Sequence, residues 1–542
     1  MAEASDTYQF RDDQRPAVPG APYNPPISGR LTAAYVLNAI LIVLLATFGQ
    51  ALYGTNLSAV AGGYGVTSAE ATWLSAIYAG FAASNALFLI KGRQQFGIMA
   101  VATWLLLLAS AASFVVLIAP GYATALLGRA ANGLVASTMT AAAVYYLMIA
   151  LPPDKRPAAI PIVLGTLQLG TPLARMVPVE VVTANGNAGL HLLNLAVPLL
   201  QLVLMQAIPL PPTPTARVFR RLDALTVALF TPAIILLASV LALGRTHWWS
   251  DTPWLAWMLV LAVPLFAAGV LLEYSRTQPT LSIDWLSNWD VLRFALIVVF
   301  ERIAVSEQSV GAVALFQTAG LNNDQLHGLY LAIMAAQVIG ILLVVVTLSE
   351  RSIPYQALAA LLMIATGAWI DSFSNGLSRP QDLMFSQILV AAGTTVFIGP
   401  ALLWIALRML KTGGQYLVTM VVVFSLTQNI GSLIGSALLT SVQYASAAVH
   451  GSSIAGEIAV GDPLVQNRIR EEAVAAVPST PTTPEAIAAG TARLGQSAGG
   501  QAAILGLLDA FRMVAAAAVV GALLIMLSIG RTLLMQRKKA TA

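Results

Sequence analysis

Cysteine is absent from this 542-residue chain, and charged residues are scarce. Without a thiol, the chain forms no disulfide, no cysteine metal site and no thiol nucleophile. Only 10% of the residues are charged, whereas a soluble domain carries about 25%. Hydrophobic residues make up 58% of the chain and the mean hydropathy is +0.78, so most of the surface cannot face water. The composition indicates a polytopic membrane protein.

Histidine and clusters of basic residues are scarce as well. The four histidines, His191, His247, His327 and His450, are scattered and have few acidic residues near them in sequence, so we expect no metal site. A membrane enzyme such as a lipid-linked transferase needs a cluster of nucleophile, base or metal ligands, and the sequence shows none. The net charge of +4 comes from basic residues spread over short loops, so no nucleic acid is expected as a partner.

Long apolar stretches, in contrast, are abundant. A helix needs about 20 apolar residues to cross the hydrocarbon core of a bilayer. Fourteen stretches approach or exceed that length, and they predict an all-α fold with fourteen transmembrane spans. The spans are 32–52, 68–90, 97–119, 122–150, 157–180, 188–209, 224–244, 253–273, 291–317, 325–348, 354–371, 383–409, 415–441 and 503–530.

The lysines give the orientation. Lys91, Lys155, Lys411, Lys538 and Lys539 all lie in even-numbered gaps between spans or in the C-terminal tail, whereas the first outer gap holds no Lys or Arg. Positive residues concentrate on the cytoplasmic side of membrane proteins. Both termini are therefore predicted to be cytoplasmic.

Three polar segments lie outside the spans. Residues 1–31 are polar and proline-rich without a signal-peptide pattern, which predicts a disordered cytoplasmic tail, and 531–542 form a basic cytoplasmic tail. The outer segment 442–502 has two helix-start signals, at Asp462-Pro463 and at Thr482-Thr483-Pro484-Glu485. Its role is open between a docking surface for a periplasmic partner and a solvated lid.

Charged residues inside the spans are the functional candidates, because ionisable groups are expensive in a membrane. Span nine carries Glu301, Arg302 and Glu307, and Glu301 lies about 15 Å from the inner end of the span. Adjacent side chains on a helix point about 100° apart, so we expect Glu301 and Arg302 to pair with other helices rather than with each other. Glu301 and Glu307 are candidate proton carriers, and a structural ion pair that locks two helices is the alternative.

Other embedded charges have simpler interpretations. Arg129 lies in span four. Arg175 and Glu180 lie high enough in span five to extend outward to the interface. Asp509 and Arg512 in span fourteen are spaced i,i+3, which favours a local surface pair.

Small residues mark close helix crossings. Span five contains Gly165, Gly170 and Pro172, and span thirteen contains Gly431 and Gly435. Glycine at such spacings permits tight packing of membrane helices, and a proline frees a backbone carbonyl. Their placement in equivalent halves of the chain is typical of a transporter built from repeated bundles.

The order of these motifs resembles the major facilitator superfamily, specifically its fourteen-helix drug:proton antiporter branch. Residues 127–133 resemble the fourth-helix pattern, with Arg129 followed by Gly133, and 165–172 resemble the fifth-helix antiporter pattern. Residues 221–225 resemble the short Asp motif that opens an extra helix pair, and 428–435 resemble the span-thirteen pattern. The similarity covers roughly 32–530.

The resemblance implies an N-terminal six-helix bundle (32–209), an inserted helix pair with linkers (210–290) and a C-terminal six-helix bundle (291–530). It also implies export of small amphipathic molecules in exchange for protons, with no cofactor beyond the proton gradient. The location would be the bacterial inner membrane, in contact with lipid. Gram-negative proteins of this branch commonly work with a periplasmic adaptor and an outer-membrane channel.

Three departures from the family pattern shift the expected roles. Residues 47–51 hold no carboxylate where the family has one in span one, the loop after span two is reduced to 91–93 without its acidic residue, and the proline-rich end of span one is lost. The hypothesis is that Glu301 carries the coupled proton with Glu307 in reserve, while Arg129 couples the proton state to bundle rearrangement.

Substrate contacts are assigned on the same basis. Arg302 or Arg175 would attract an anionic drug or aromatic acid, and Gln168, between the span-five glycines, is a further binding candidate. Two alternatives remain open, a proton-coupled uptake carrier for an organic anion and a non-transporting membrane sensor.

Overall fold

A computed structural model describes residues 11, 14, 16, 20–277, 279–412, 416–459, 461–476 and 483–540. Thirteen helices in this part of the chain are long and apolar enough to cross a membrane. Span nine is also present, but a π turn at Glu307–Gly311 divides it into two helices. The predicted all-α polytopic fold is confirmed.

We call the helices of the first six spans the N-terminal bundle. Capping side chains decide where its helices begin: Ser28 accepts the N–H of Leu31, and Thr67 and Glu70 form a reciprocal capping box. Span five is interrupted between Gln168 and Gly170. The helices are α1 (Gly29–Thr55), α2 (Leu57–Tyr64), α3 (Ser68–Phe96), α4 (Ile98–Ile118), α5 (Tyr122–Ala150), α6 (Ala159–Gln168), α7 (Gly170–Arg175), α8 (Val179–Thr183) and α9 (Ala188–Ala207).

The inserted pair follows a linker and consists of α10 (Arg221–Leu243) and α11 (Pro253–Tyr274), with the short α12 (Ile283–Leu286) behind them. Gly80 on α3 leaves room for the backbone of Ile235 on α10. The ring of Trp73 stacks on that of Trp254, with centroids 6.0 Å apart. The pair therefore lies against the second span of the N-terminal bundle.

We call the helices of the last six spans the C-terminal bundle. Its apolar core is built where α13, α16, α17, α18 and α20 meet. The helices are α13 (Trp289–Ser306), α14 (Ala312–Thr318), α15 (His327–Thr347), α16 (Ile353–Asp371), α17 (Met384–Thr412), α18 (Leu417–Glu457), α19 (Pro463–Ala476) and α20 (Pro484–Ala540).

The described part of the outer segment 442–502 is mostly helical. Helix α18 continues well past the predicted end of span thirteen, and α20 begins well before span fourteen, so the two form an extended hairpin with α19 packed beside α20. Both predicted helix starts are present, since the N–H of Leu464 donates to Asp462 over 2.8 Å and that of Ala486 donates to Thr483 over 3.3 Å. Residues 477–482 lie outside the described part.

The described parts of the N-terminal and C-terminal tails are ordered by contacts or by helix. Residues 1–10, within the expected disordered tail, lie outside the described residues. Farther on, the N–H of Tyr23 donates to the carbonyl of Pro212 over 3.1 Å, so this segment contacts the linker after α9. At the other end, the basic tail is helical as far as Ala540.

Candidate functional site

Glu301 and Arg302 form an ion pair with each other. Arg302 donates from Nε to Glu301 Oε2 over 2.9 Å and from Nη2 to Oε1 over 3.2 Å, and Glu301 is 0% exposed. The expectation that they pair with other helices is wrong. The long arginine side chain turns back onto its neighbour, and in a medium of low dielectric the nearest opposite charge is strongly favoured. The alternative of a structural pair locking two helices is not what the contacts show, because both charges lie on one helix.

Two glycines of α18 pack against this pair. A Cβ at Gly431 would lie 3.2 Å from Arg302 Cγ, and one at Gly435 would lie 2.6 Å from the carbonyl oxygen of Arg302. Only glycine allows α18 to approach this closely. Both glycines therefore have the packing role predicted for them, and span thirteen packs directly against the charged turn of span nine.

Glu307 lies in a second acidic group, which sequence reasoning missed. Gln387 on α17 donates from Nε2 to Glu307 Oε1 over 2.9 Å and to Asp371 Oδ2 over 2.7 Å. Ser386 donates its hydroxyl to the other oxygen of Asp371. Glu307 is 0% exposed and Asp371 1%. Asp371 is the last residue of α16, and no local sequence pattern indicates that this helix end is buried against span nine.

Arg175 connects the two bundles. It donates to Asn323 Oδ1 over 3.1 Å and to the carbonyl of Ser309 over 3.4 Å, and its guanidinium lies 5.7 Å from the ring of Tyr330. Because Arg175 is only 7% exposed, the expectation that it extends outward to the interface is wrong. Glu180, in contrast, is exposed. Arg175 turns inward because Ser309, in the π turn, and Asn323 offer oxygen acceptors across the bundle interface.

The same side of the molecule holds a further contact between bundles. Asn323 donates from Nδ2 to the carbonyl of Thr55 at the end of α1 over 3.1 Å. Together with Arg175 it closes the predicted outer face. We call Thr55, Arg175, Ser309 and Asn323 the outer gate.

On the predicted inner face, a charged group joins α3 to the inserted pair. Asp223 lies 2.7 Å from Lys91 on α3 and 2.5 Å from Arg276, and Arg276 also pairs with Glu273 over 2.7 Å. Behind them, the N–H of Ser282 donates to Thr419 of the C-terminal bundle over 2.9 Å. The acidic partner that the shortened loop 91–93 lacks is thus supplied by the first helix of the inserted pair.

Arg129 is fully enclosed in the N-terminal bundle. Its guanidinium lies 4.6 Å from the ring centre of Tyr53 and 4.3 Å from that of Tyr78. It donates to the carbonyls of Leu74 over 3.2 Å and of Gly49 and Gln50 over 3.4 Å each. Gly49 and Gln50 belong to the stretch of span one that lacks the family carboxylate. In the described chain, backbone oxygens and aromatic faces take the place of an acidic partner.

The remaining candidates are the packing glycines of spans four and five, followed by Pro172 and Gln168. A Cβ at Gly133 would meet α3, one at Gly170 would meet α1, and one at Gly165 would meet Ile341 of α15, so the predicted close crossings are present. Pro172 is buried in α7, and the side-chain nitrogen of Gln168 has no hydrogen-bond partner in the described structure.

Asp509 and Arg512 form the local pair that their spacing predicts. Their side chains are 2.8 Å apart. Asp509 also accepts from Ser446 and contacts His450 at 2.8 Å, which joins α20 to α18. This group is separate from the span-nine charges.

The two bundles are in contact on both faces. On the predicted inner half, Gly399 of α17 lies against Pro161 of α6, and Ser425 of α18 donates to the carbonyl of Ala83 on α3 over 3.5 Å. Because the bundles touch on both faces, we describe the structure as a closed state. Glu301 and Glu307 are 0% exposed in it and Arg175 is 7% exposed, so all three are shielded.

Comparisons with known proteins agree with this architecture. No protein-family model matches the sequence, and no curated protein matches it either. A solved bacterial homologue of the human drug peptide transporters superimposes with a TM-score of 0.55 at 14% identity, covering 93% of this chain and 99% of that chain. A peptide transporter POT in complex with sulfate gives 0.54 at 16% identity, covering 94% and 97%.

A third solved structure is the proton:xylose symporter XylE of the major facilitator superfamily, bound to 6-bromo-6-deoxy-D-glucose. It superimposes with a TM-score of 0.52 at 12% identity, covering 92% of this chain and 96% of that chain. All three are transporters or homologues of transporters. At such low identities the likeness establishes the fold, and this multi-pass membrane chain has the fold of the major facilitator superfamily.

Proposed function

We propose that the chain is a proton-coupled exporter of small amphipathic organic molecules, of the drug:proton antiporter type. The observation that carries the proposal is the buried Glu301–Arg302 pair, which lies one and a half turns before the π turn that contacts the N-terminal bundle. A buried charge pair on a broken helix at the bundle interface suits a group that titrates as the bundles move.

The roles of the two charges follow from their contact. In an antiporter the substrate binds the deprotonated state and the proton displaces it. Ionised Glu301 attracts the cationic or donor group of an amphipathic substrate while Arg302 contacts its anionic or aromatic part, so substrate binding releases the proton. Return of the proton to Glu301 cancels the first contact and favours substrate release. Arg175 and Gln168, at the break in span five, are the further substrate contacts that we propose once the outer gate is open. Arg129 holds the end of α1 in place and transmits rearrangement of that bundle.

An uptake carrier for an organic anion is the second candidate. It is favoured by the solved neighbours, among which are a peptide transporter and a proton:xylose symporter. The sequence motifs favour export instead. In a bacterial inner membrane the exporter would deliver its substrate to the periplasm, and the hairpin of α18, α19 and α20 is the surface that we propose for a periplasmic adaptor leading to an outer-membrane channel.

The direction of the driving gradient separates the two candidates. Purified protein in liposomes is given a pH gradient of either sign, with the membrane potential clamped by valinomycin and potassium. Accumulation of two probes, the amphipathic cation ethidium and the aromatic acid nalidixate, is then followed. An antiporter accumulates probe when the interior is acidic, whereas a symporter does so when the exterior is acidic. Protein-free liposomes give the passive background.

Two other outcomes would contradict the proposed exporter. If the probes accumulate only when the exterior is acidic, the chain is an uptake carrier. Absence of gradient-driven accumulation of any compound in a wider panel would contradict transport and favour the non-transporting sensor.

A further inference from the structure

The second acidic group places two carboxylates in one buried site. Glu307 belongs to the π turn of span nine and Asp371 to the end of α16, so residues far apart in sequence meet around Gln387. Both contacts end on the same nitrogen atom of Gln387. The two carboxylates are therefore within about 6 Å of each other, a separation at which like charges in a protein interact strongly.

In the described part of the chain, neither carboxylate has a cation to balance it. Arg302 is paired with Glu301, Arg512 with Asp509, and Arg175 donates to the carbonyl of Ser309 and to Asn323. No ion pair to Glu307 or Asp371 occurs within the described residues. The elements packed on the π turn thus contribute amides and hydroxyls to this site but no positive charge.

One atom of the site lacks a donor. Glu307 Oε2 is buried and has no hydrogen-bond partner in the described structure, whereas its other oxygen accepts from Gln387. An unpaired buried carboxylate oxygen is costly, and two buried negative charges side by side are costlier still. A single proton on Glu307, donated to Asp371, satisfies that oxygen and reduces the charge of the group from −2 to −1.

We propose that Glu307 and Asp371 share one exchangeable proton in the closed state and form a second proton site of the carrier. The inference rests on the proposed proton-coupled function and adds to it a residue, Asp371, at the outer end of its span. Release breaks one carboxyl O–H bond and transfers the proton to water, leaving both carboxylates ionised. Return of the proton restores the shared bond.

The site is connected directly to the outer gate. The π turn begins at Glu307 and contains Ser309, whose carbonyl accepts from Arg175 of the N-terminal bundle. Repulsion between the two carboxylates after proton loss moves Glu307 and hence the turn, which displaces the acceptor of Arg175. Loss of the proton therefore favours opening of the outer gate.

Infrared spectroscopy detects the shared proton without any substrate. At neutral pH ordinary carboxyl groups are ionised, so a carboxylic-acid C=O band that shifts in heavy water reports an unusual protonated group. We expect such a band in the wild-type protein in bicelles. We expect it to be lost in Glu307→Gln and in Asp371→Asn, because the neutral amide takes the place of the protonated member and the remaining carboxylate stays ionised.

Glu301→Gln is the matched control and should retain the band, because two N–H bonds from Arg302 favour the ionised form of Glu301. A wild-type protein without the band, or a band unchanged in both pair variants, would overturn the proposal. Loss of the wild-type band when sodium chloride replaces choline chloride would overturn it as well, in favour of a sodium site.

Transport assays separate this inference from the proposed function. If Glu307→Gln and Asp371→Asn lose the band and also lose proton-driven probe accumulation, both proposals are supported. If they lose the band but retain full proton coupling, the second proton site is refuted while the exporter stands. If the wild-type protein has the band but moves no compound, the shared proton stands and the exporter fails.

Discussion

Removal of the cation from the Glu301–Arg302 pair is the perturbation with the clearest consequence. Arg302→Met keeps much of the side-chain volume but leaves Glu301, which is 0% exposed, without the two N–H bonds of 2.9 and 3.2 Å. Removing one partner of a buried pair costs about 3–5 kcal/mol. We therefore expect the free energy of unfolding to fall by about that amount.

The double variant Glu301→Gln/Arg302→Met should recover most of the loss. It leaves no net charge in the site, and replacement of both members of a buried pair is often neutral. The loss in Arg302→Met should also shrink as the pH is lowered, because a proton neutralises the stranded carboxylate. That carboxylate binds protons more strongly in the folded variant than when unfolded, so the variant is relatively more stable at acidic pH.

The assay is reversible unfolding by SDS in bicelles, followed by circular dichroism. Arg512→Met is the matched control, because Arg512 is also paired but its side chain is 52% exposed, and such pairs contribute about 0–1 kcal/mol. If Arg302→Met loses no more stability than Arg512→Met, or if the double variant is no better than the single one, the pair is not a desolvated charge pair and the reasoning is refuted.

Three further predictions concern the gates and the N-terminal bundle. Asp223→Asn takes the acidic partner from Lys91 and leaves Arg276 paired with Glu273 alone, and thermal unfolding should show a loss of about 3–5 kcal/mol, against no significant loss for the exposed control Asp154→Asn. Thr55→Cys/Asn323→Cys should form an oxidant-induced disulfide that blocks transport until reduced, with no background because the chain has no cysteine; rapid labelling of both thiols without cross-linking would contradict a closed outer gate. Arg129→Lys should lower unfolding stability by about 2–3 kcal/mol by losing stacking and two of its carbonyl contacts, and unchanged stability would refute the enclosed geometry.

Much of the fold follows from the sequence because membrane burial is a strong constraint. Apolar length gave the spanning helices, and the helix starts at Asp462 and Thr483 were readable because capping depends on neighbours in sequence. The small residues predicted helix crossings correctly for Gly133 and Gly435. Local rules could not show that α18 and α20 continue beyond the membrane, since a polar helix and a polar loop have similar compositions.

The candidate site was less predictable because it depends on tertiary contacts. Glu301 and Arg302 were identified as buried charges, but helix geometry alone suggested the wrong partners, since side-chain length outweighs the angle between Cβ directions. Arg175 was assigned to the interface by its position along span five, whereas acceptors on the opposite bundle hold it inside. Asp371 at a helix end is indistinguishable in sequence from an interfacial residue.

The central claim is that Glu301 binds and releases the coupled proton, and substrate-driven proton release tests it most directly. Purified protein is reconstituted in liposomes with a pH-sensitive dye, and proton release is measured on addition of a transported probe. We predict that Glu301→Gln abolishes proton release, whereas Glu180→Gln, the same change at an exposed carboxylate, leaves it intact. Proton release by Glu301→Gln at the wild-type rate would contradict the account.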